Sequence, residues 1–294
     1  VVRPVVVGLD GSRESLAAAD WAAGEALRRG APLRLVHAWE AASPEPSTLP
    51  ELDAPRYWAR RILREAVERL GERRPQVRPD VEQIAKSPAD ALVSAGAEAG
   101  LLVLGSRAFS GFGGFFAGSV ALATVARAVR PVVLVRADAT PESERVPGAD
   151  GLPSAHAPYR PVVVGVDTEQ QCEEVLAFAF ESAVLRSAPL RVVHAWRPPL
   201  ALGPGPETAP LREAAERELD TVLGPWREKY PAVEVDRRVE HGRTAQSLLD
   251  AAADSCLLVV GRRIRTAGFG THTGPVAHAV MHHVRCPIAV VPHG

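Results

Sequence analysis

The chain is one unit written twice. RPVVVGLD at 3–10 recurs as RPVVVGVD at 160–167, and APLRLVHAW at 31–39 as APLRVVHAW at 188–196, both 157 positions later. LLVLG at 101–105 recurs as LLVVG at 257–261, and PVVLV at 131–135 as PIAVV at 287–291, both 156 positions later. Four blocks in one order, with a net change of one residue, define tandem homologous domains. The expected limits are 1–137 and 159–294, joined by a linker at 138–158 that is rich in Pro, Gly, Ser and Ala. That composition has no periodicity and reads as extended chain.

Strand-like and helix-like segments alternate within a copy. VVVGL at 5–9 is an apolar run that stops at Asp10-Gly11-Ser12. Ser12 or Asp10 can cap the next helix, predicted over 13–29 with Leu16, Ala19, Ala23 and Leu27 on one face. A second strand is expected over 33–38, and a helix over 55–73 marked by Tyr57, Ile62, Ala66 and Leu70. Then follow a strand at 81–84, a helix at 89–99, a strand at 101–104, a helix at 119–129 and a strand at 131–135. Unbroken Val/Leu runs indicate strands buried on both faces. Their alternation with helices predicts an α/β fold, a parallel sheet wrapped by helices.

In such sheets ligands bind beyond the carboxyl ends of the strands, where strand order reverses. Two strand ends carry unusual residues. The first ends in Asp10. The fourth ends in GSRAFSGFGGFFAGS, residues 105–119, of which five are glycine. Glycines let a backbone wrap an anion with N–H donors, and the helix starting at Ser119 aims its dipole at the same place. The bland alternative is a surface loop without a ligand, with Asp10 a helix cap only.

Other chemistries fit less well. Neither Lys86 nor Lys229 lies in a GxxxxGK[ST] pattern, and the first strand lacks a following GxGxxG. His37 and His194 recur after the second strand of each copy and read as satisfied core histidines. His278 and His282 have the i, i+4 spacing of a metal pair but no third ligand beside them, so no metal site is expected. The Arg/Glu faces of 60–74 and 212–229 read as solvated. Net charge is −1, which gives no field toward nucleic acid or an anionic membrane. No apolar run approaches the roughly 20 residues of a membrane span. No signal peptide opens the sequence, which begins at Val1 rather than Met, so a short leader, trimmed or disordered, is expected. Cys172, Cys256 and Cys286 show no disulfide or metal pattern, and a reducing cytoplasmic setting is expected.

The spacing G-x2-G-x9-G-[ST] after the fourth strand resembles the ATP-binding signature of the universal stress protein family. Gly105, then Ala108, then Gly118-Ser119 carry it, with VVVGLDGS, VHAW and RPVVLV around it. The resemblance spans both copies. It implies two Rossmann-like domains of the adenine nucleotide alpha hydrolase-like kind, each a five-stranded parallel sheet of order 3-2-1-4-5. It implies ATP with Mg2+ or Mn2+ between strands one and four. It also implies pairing through the fifth strands, as an intrachain pseudo-dimer and as a homodimer. By matching position, Gly8 and Asp10 meet the adenosine end, and the backbone of Ala38 meets adenine. Leu104, Gly105, Arg107, Gly118, Ser119 and Val120 hold ribose and phosphates. In the second copy the positions are Asp167, Ala195, Val260, Gly261 and Gly274.

The departures rank the two sites. Ala108 stands where the pattern has Gly; a positive φ there costs about 1–2 kcal/mol. In the second copy Ile264 takes that place, Pro275 replaces the hydroxyl residue, and Thr168-Glu169 replace Gly11-Ser12. Arg262, Arg263 and Arg265 can compensate through phosphate contacts. The expected function is an ATP-binding stress-response regulator with its stronger site in the first copy. A nucleotide-free scaffold is the alternative. An enzyme of the same superfamily ranks last, since only Arg107, Ser110 and Ser119 offer polar chemistry near the phosphates.

Overall fold

The structure is a computed structural model and describes residues 2–39, 54–106, 119–148, 151, 154, 156–170, 172–196, 209–264 and 273–294. The chain divides after Thr140 into two compact units.

The first unit contains β1 (Val5–Gly8), α1 (Arg13–Arg29), β2 (Leu33–Trp39), α2 (Ala54–Arg73) and β3 (Asp80–Ala85). It continues with α3 (Pro88–Glu98), β4 (Leu101–Ser106), α4 (Ser119–Arg127) and β5 (Val132–Arg136). Every strand pairing is parallel, and the order is 3-2-1-4-5. Helices α1 and α2 cover one face, and α3 and α4 the other. β1 is buried along its whole length, as its unbroken valines require. β3 is the edge strand; its exposed positions carry Asp80, Val81, Gln83 and Ala85, and Asp80 puts a charge on the open edge.

The expected elements are present, with bounds shifted by a residue or two at frayed ends. Two faces differ from expectation. α1 is buried throughout 17–26, while Leu27 is 41% exposed and Leu16 half-buried. It crosses β1, β4 and β5 and also meets α2, so its alanines are enclosed on several sides. On α2 the buried stripe is Ala59, Leu63, Ala66 and Leu70, whereas Tyr57 is 60% exposed. Nor is the arginine face of α2 only solvated. Arg69 Nη2 and Arg73 Nη1 lie 2.8 and 2.9 Å from Oδ2 of Asp20, a buried carboxylate on α1. Glu25, fully buried, is met by Arg28 and Arg29 at 2.9 and 2.7 Å. A carboxylate taken from water needs such partners.

The second unit contains β6 (Val162–Gly165), α5 (Glu173–Arg186), β7 (Leu190–Trp196), α6 (Ala209–Lys229) and β8 (Val235–His241). It continues with α7 (Thr244–Ala251), β9 (Leu257–Arg263), α8 (Pro275–His283) and β10 (Ile288–His293). The strands are again parallel, in order 8-7-6-9-10. Here α5 packs on α6 through rings. Buried Phe180 stacks on Trp226 and Tyr230 at 5.7 and 5.4 Å, and Ala177 stands where the first copy has Asp20.

The segment expected as an extended linker groups with the second unit from Pro141 onward. Arg145 bridges Tyr159 in antiparallel fashion, and its guanidinium lies 3.8 Å from the ring centroid. Arg145 Nη1 donates to Ala157 O at 2.5 Å, and Arg160 Nε donates back to Arg145 O at 2.9 Å. These arginines tie the segment down, although its composition gives no periodic signal.

Candidate functional site

β1 is flanked by β2 and β4, with Gly8 opposite Val36 and Leu104. The chain leaves β1 toward β2 and returns from β3 to β4 on the other side. Strand order therefore reverses between β1 and β4, and their carboxyl ends open the crevice expected of this fold.

The turn from β1 into α1 forms one wall. Asp10 is exposed, and its Oδ1 accepts from Ser12 N at 2.9 Å and from Ser12 Oγ at 2.5 Å. Ser12 is the cap of α1, its Oγ accepting from Ser15 N at 3.1 Å. Of the two expected caps, Ser12 caps the helix and Asp10 holds the cap. Gly11 has φ +80°, which a side chain would strain. Behind this turn, His37 Nδ1 lies 2.6 Å from Leu9 O. A carbonyl only accepts, so Nδ1 carries the proton. His194 repeats the brace to Val166 O at 3.1 Å. Both histidines fix the end of a first strand, in keeping with core residues.

Of the other expected residues, Ala38 is half-buried in β2, opposite Ile84. Leu104 is 4% exposed, so its side chain belongs to the core. A Cβ on Gly8 would lie 2.6 Å from Leu92 Cδ2 of α3. A Cβ on Gly105 would lie 2.6 Å from Glu14 C and Ser15 N, the backbone of the first turn of α1. Gly105 therefore lets α1 cross the end of β4, whatever else it contacts. Ser119 is exposed at the start of α4, and Val120 O accepts from Thr124 Oγ1 at 2.7 Å. Arg107, Ala108, Ser110 and Gly118 lie outside the described residues.

The second copy departs at the same turn. Asp167 Oδ1 accepts from Glu169 N at 3.1 Å, and its Oδ2 from Gln170 Nε2 at 3.0 Å. No serine follows to cap a helix, and α5 begins only at Glu173, after Cys172. Burial pushes the Cys172 thiol up to about 11, and Asp167, Glu173 and Glu174 add to the rise. Ala195 is half-buried opposite Glu240, and Val260 is 3% exposed. A Cβ on Gly261 would lie 2.9 Å from the His293 ring. Gly274 precedes α8 with φ −57°, and among the described residues nothing lies within 4 Å of a Cβ added to it.

Ile264, poorly suited to a positive φ, has none; its N–H donates to His293 O at 2.8 Å in ordinary backbone. One expectation about this copy is corrected. Arg262 is 5% exposed, so it is packed into the fold and not presented to a phosphate. Arg263 is exposed, and Arg265 lies outside the described residues. The rings of His278 and His282 are 4.6 Å apart. Among the described residues no three His, Cys, Asp or Glu side chains group as a metal site.

One feature of the first crevice had no motif to announce it. A Cβ at Gly11 would lie 3.1 Å from Ile62 Cγ1, so α2 reaches the rim. One turn earlier on α2, Trp58 is 52% exposed. Its only signal in the sequence is the four-residue interval to Ile62.

Fold and strand order together define a Rossmann-like α/β domain, present twice. The chain belongs to the Universal stress protein family, whose family model matches residues 2–136 and again 158–292. Universal stress protein Rv2005c of Mycobacterium tuberculosis is 34% identical over 298 residues, covering 97% of this chain and 96% of the relative. A universal stress protein of Mycolicibacterium smegmatis is 31% identical over 303 residues, covering 98% and 96%. Among solved structures, a universal stress protein from Archaeoglobus fulgidus matches with TM-score 0.71 at 17% identity, covering 99% of this chain and 98% of that one. It shares the fold. No helix among the described residues is long and apolar enough to cross a membrane.

Proposed function

We propose that the chain binds ATP in the first-copy crevice and works as a nucleotide-dependent regulator in stress response. One observation carries this reading. The Asp10 turn follows β1 and α4 is the next helix after β4, the two strands between which the order reverses, and α4 starts at Ser119, at the end of the signature spacing. A helix N-terminus there suits a phosphate. A divalent cation would be held mainly by phosphate oxygens. The role is binding rather than turnover, and the setting is cytoplasmic. The second crevice is the weaker one, because its mouth gathers Asp167, Glu169, Glu173 and Glu174 and anions repel a triphosphate. The chain self-associates as a homodimer, which sedimentation equilibrium tests directly.

A nucleotide-free scaffold is the second reading. It is favoured by Gly105, whose lack of a side chain is already required by the α1 backbone. The deciding experiment denatures protein purified without added nucleotide and quantifies released adenine nucleotides against protein. A thermal shift over an ATP titration accompanies it. Near one nucleotide per chain is expected, or a stabilisation of about 2.7 kcal/mol at 100 times Kd. No nucleotide and no shift would leave only the scaffold.

A further inference from the structure

The exposed aromatics of α2 stand at the rim of the first crevice. β2 and β3 are parallel, so α2 must run back from the carboxyl edge of the sheet. Its first turns therefore lie at the edge that carries Asp10. The Gly11–Ile62 approach fixes the level: a Cβ at Gly11 would lie 3.1 Å from Ile62. Trp58 precedes Ile62 by four residues, which places it on nearly the same helix face and about 6 Å farther along the axis. It thus stands beyond the Asp10–Ser12 turn, not beneath it.

The indole is held there. Arg61 Cζ lies 5.2 Å from the ring centroid, and Tyr57 packs against it edge-on at 5.9 Å. Yet Trp58 is 52% and Tyr57 60% exposed, on a helix whose other exposed positions are mostly Arg and Glu. A single exposed aromatic needs no explanation. A positioned pair at the mouth of a ligand crevice does. The second copy has no counterpart: α6 carries no aromatic residue before Trp226, and that ring stacks on Phe180.

We infer that Trp58 is the aromatic wall of the first site and stacks on the purine of a bound nucleotide, held by Arg61 and Tyr57. The inference rests on the reading that an adenine nucleotide occupies this crevice. It adds a residue that sets preference for the base, separate from the groups that meet phosphate. It also supplies a second physical reason for unequal sites.

Equilibrium dialysis with labelled ATP on full-length wild type, Trp58→Ala and Trp58→Phe tests it, with tryptophan emission read in parallel. Stacking on a base loses about 5- to 150-fold in affinity on truncation to alanine. Trp58→Ala should show a loss in that range, and Trp58→Phe only a few-fold loss. Wild-type emission should fall on saturation, and Trp58→Phe should lose most of that change while still binding. Competition by inorganic tripolyphosphate, which has no base, should be equal in all three. If wild type binds ATP and Trp58→Ala binds within twofold of it, the stacking role is wrong and the nucleotide site stands. If dialysis shows no ATP on wild type, the site and the stacking fall together. Equal loss of tripolyphosphate binding would make Trp58 a merely structural residue.

Discussion

The turn after β1 and the turn after β6 both leave a VVVG strand and reach an aspartate at the same position. After that they part. In the first, Gly11 takes φ +80°, Ser12 caps, and α1 starts at Arg13. In the second, Thr168 and Glu169 cannot repeat the turn or the cap, and α5 starts at Glu173. The helices have 17 and 14 residues, so nearly one turn of helix goes with the change from GSRES at 11–15 to TEQQC at 168–172. The neighbouring charge changes with it: Ser12 gives way to a carboxylate. The start of the helix thus changes through local chemistry while the sheet beneath it keeps its register.

The sharpest way to break the comparison is to damage the two proposed phosphate loops alike. Gly118→Val should lower ATP affinity by at least about 100-fold, as losing several charge-assisted N–H contacts implies. Gly274→Val should change total binding less than twofold and fold normally, because among the described residues nothing lies within 4 Å of a Cβ added there. Calorimetric titration of both variants checks the ranking, and equal losses would overturn it.

The paired packing glycines come next. A Cβ at Gly105 meets helix backbone at 2.6 Å, whereas one at Gly261 meets the movable His293 ring at 2.9 Å. Gly105→Ala should therefore cost about 3 kcal/mol and Gly261→Ala about 1 kcal/mol, the span typical of overpacking. Urea denaturation measures both. The larger cost at Gly261 would mean that α1 yields more easily than the ring.

These glycines also show where sequence reasoning reaches its limit. The bounds of α1 are legible because Ser12 and Gly30 mark both ends chemically. The crevice is legible because the repeats reveal a β/α order, and that order with buried strands locates the reversal. The packing reason for Gly105 is not legible. It depends on how closely α1 crosses β4, a distance no spacing encodes. The buried face of α2 is displaced for a related reason. Apolar residues fall on two adjoining faces of it, so Tyr57, Ile62, Ala66 and Leu70 compete with Ala59, Leu63, Ala66 and Leu70 as a stripe. Packing against β2 and α1 buries the second, and the same arrangement brings Arg69 and Arg73 to Asp20. Ile264 teaches the converse: a motif position alone does not set a backbone angle. The strand continues to Arg263, and the next N–H finds His293 O.

Grafting the first turn onto the second sharpens the comparison further. Thr168→Gly with Glu169→Ser restores the Asp-Gly-Ser triplet ahead of α5. An N-cap of this kind is worth about 1 kcal/mol. Stability of the second unit should rise by about that amount, with added helical signal in far-UV circular dichroism. Removing the carboxylate should also raise nucleotide occupancy per chain. A stabilised unit with unchanged occupancy would show that the cap is transferable and the site is not.

The smallest expected effect lies at the other end of the same two helices. α1 ends on Gly30 at φ 57°, and α5 ends at the matching position on Ser187 at φ 48°. Ser187 is the one non-glycine residue at positive φ among those described. Both cap N–H groups reach back to two carbonyls of the last turn, so the motif is kept and only its steric cost differs. The left-handed conformation costs a side-chain-bearing residue about 1–2 kcal/mol. Glycine relieves that but gives the unfolded chain more freedom, which offsets about 0.4–1 kcal/mol. Ser187→Gly should therefore stabilise by about 0.5–1 kcal/mol, a rise of about 1–4 °C in Tm for a unit of this size. Gly30→Ser should lower Tm by a similar amount. If calorimetry finds Ser187→Gly neutral, the unfolded-state entropy cancels the strain. The two C-caps would then be energetically equal, and the difference between the copies would lie at the helix starts, beside the crevice.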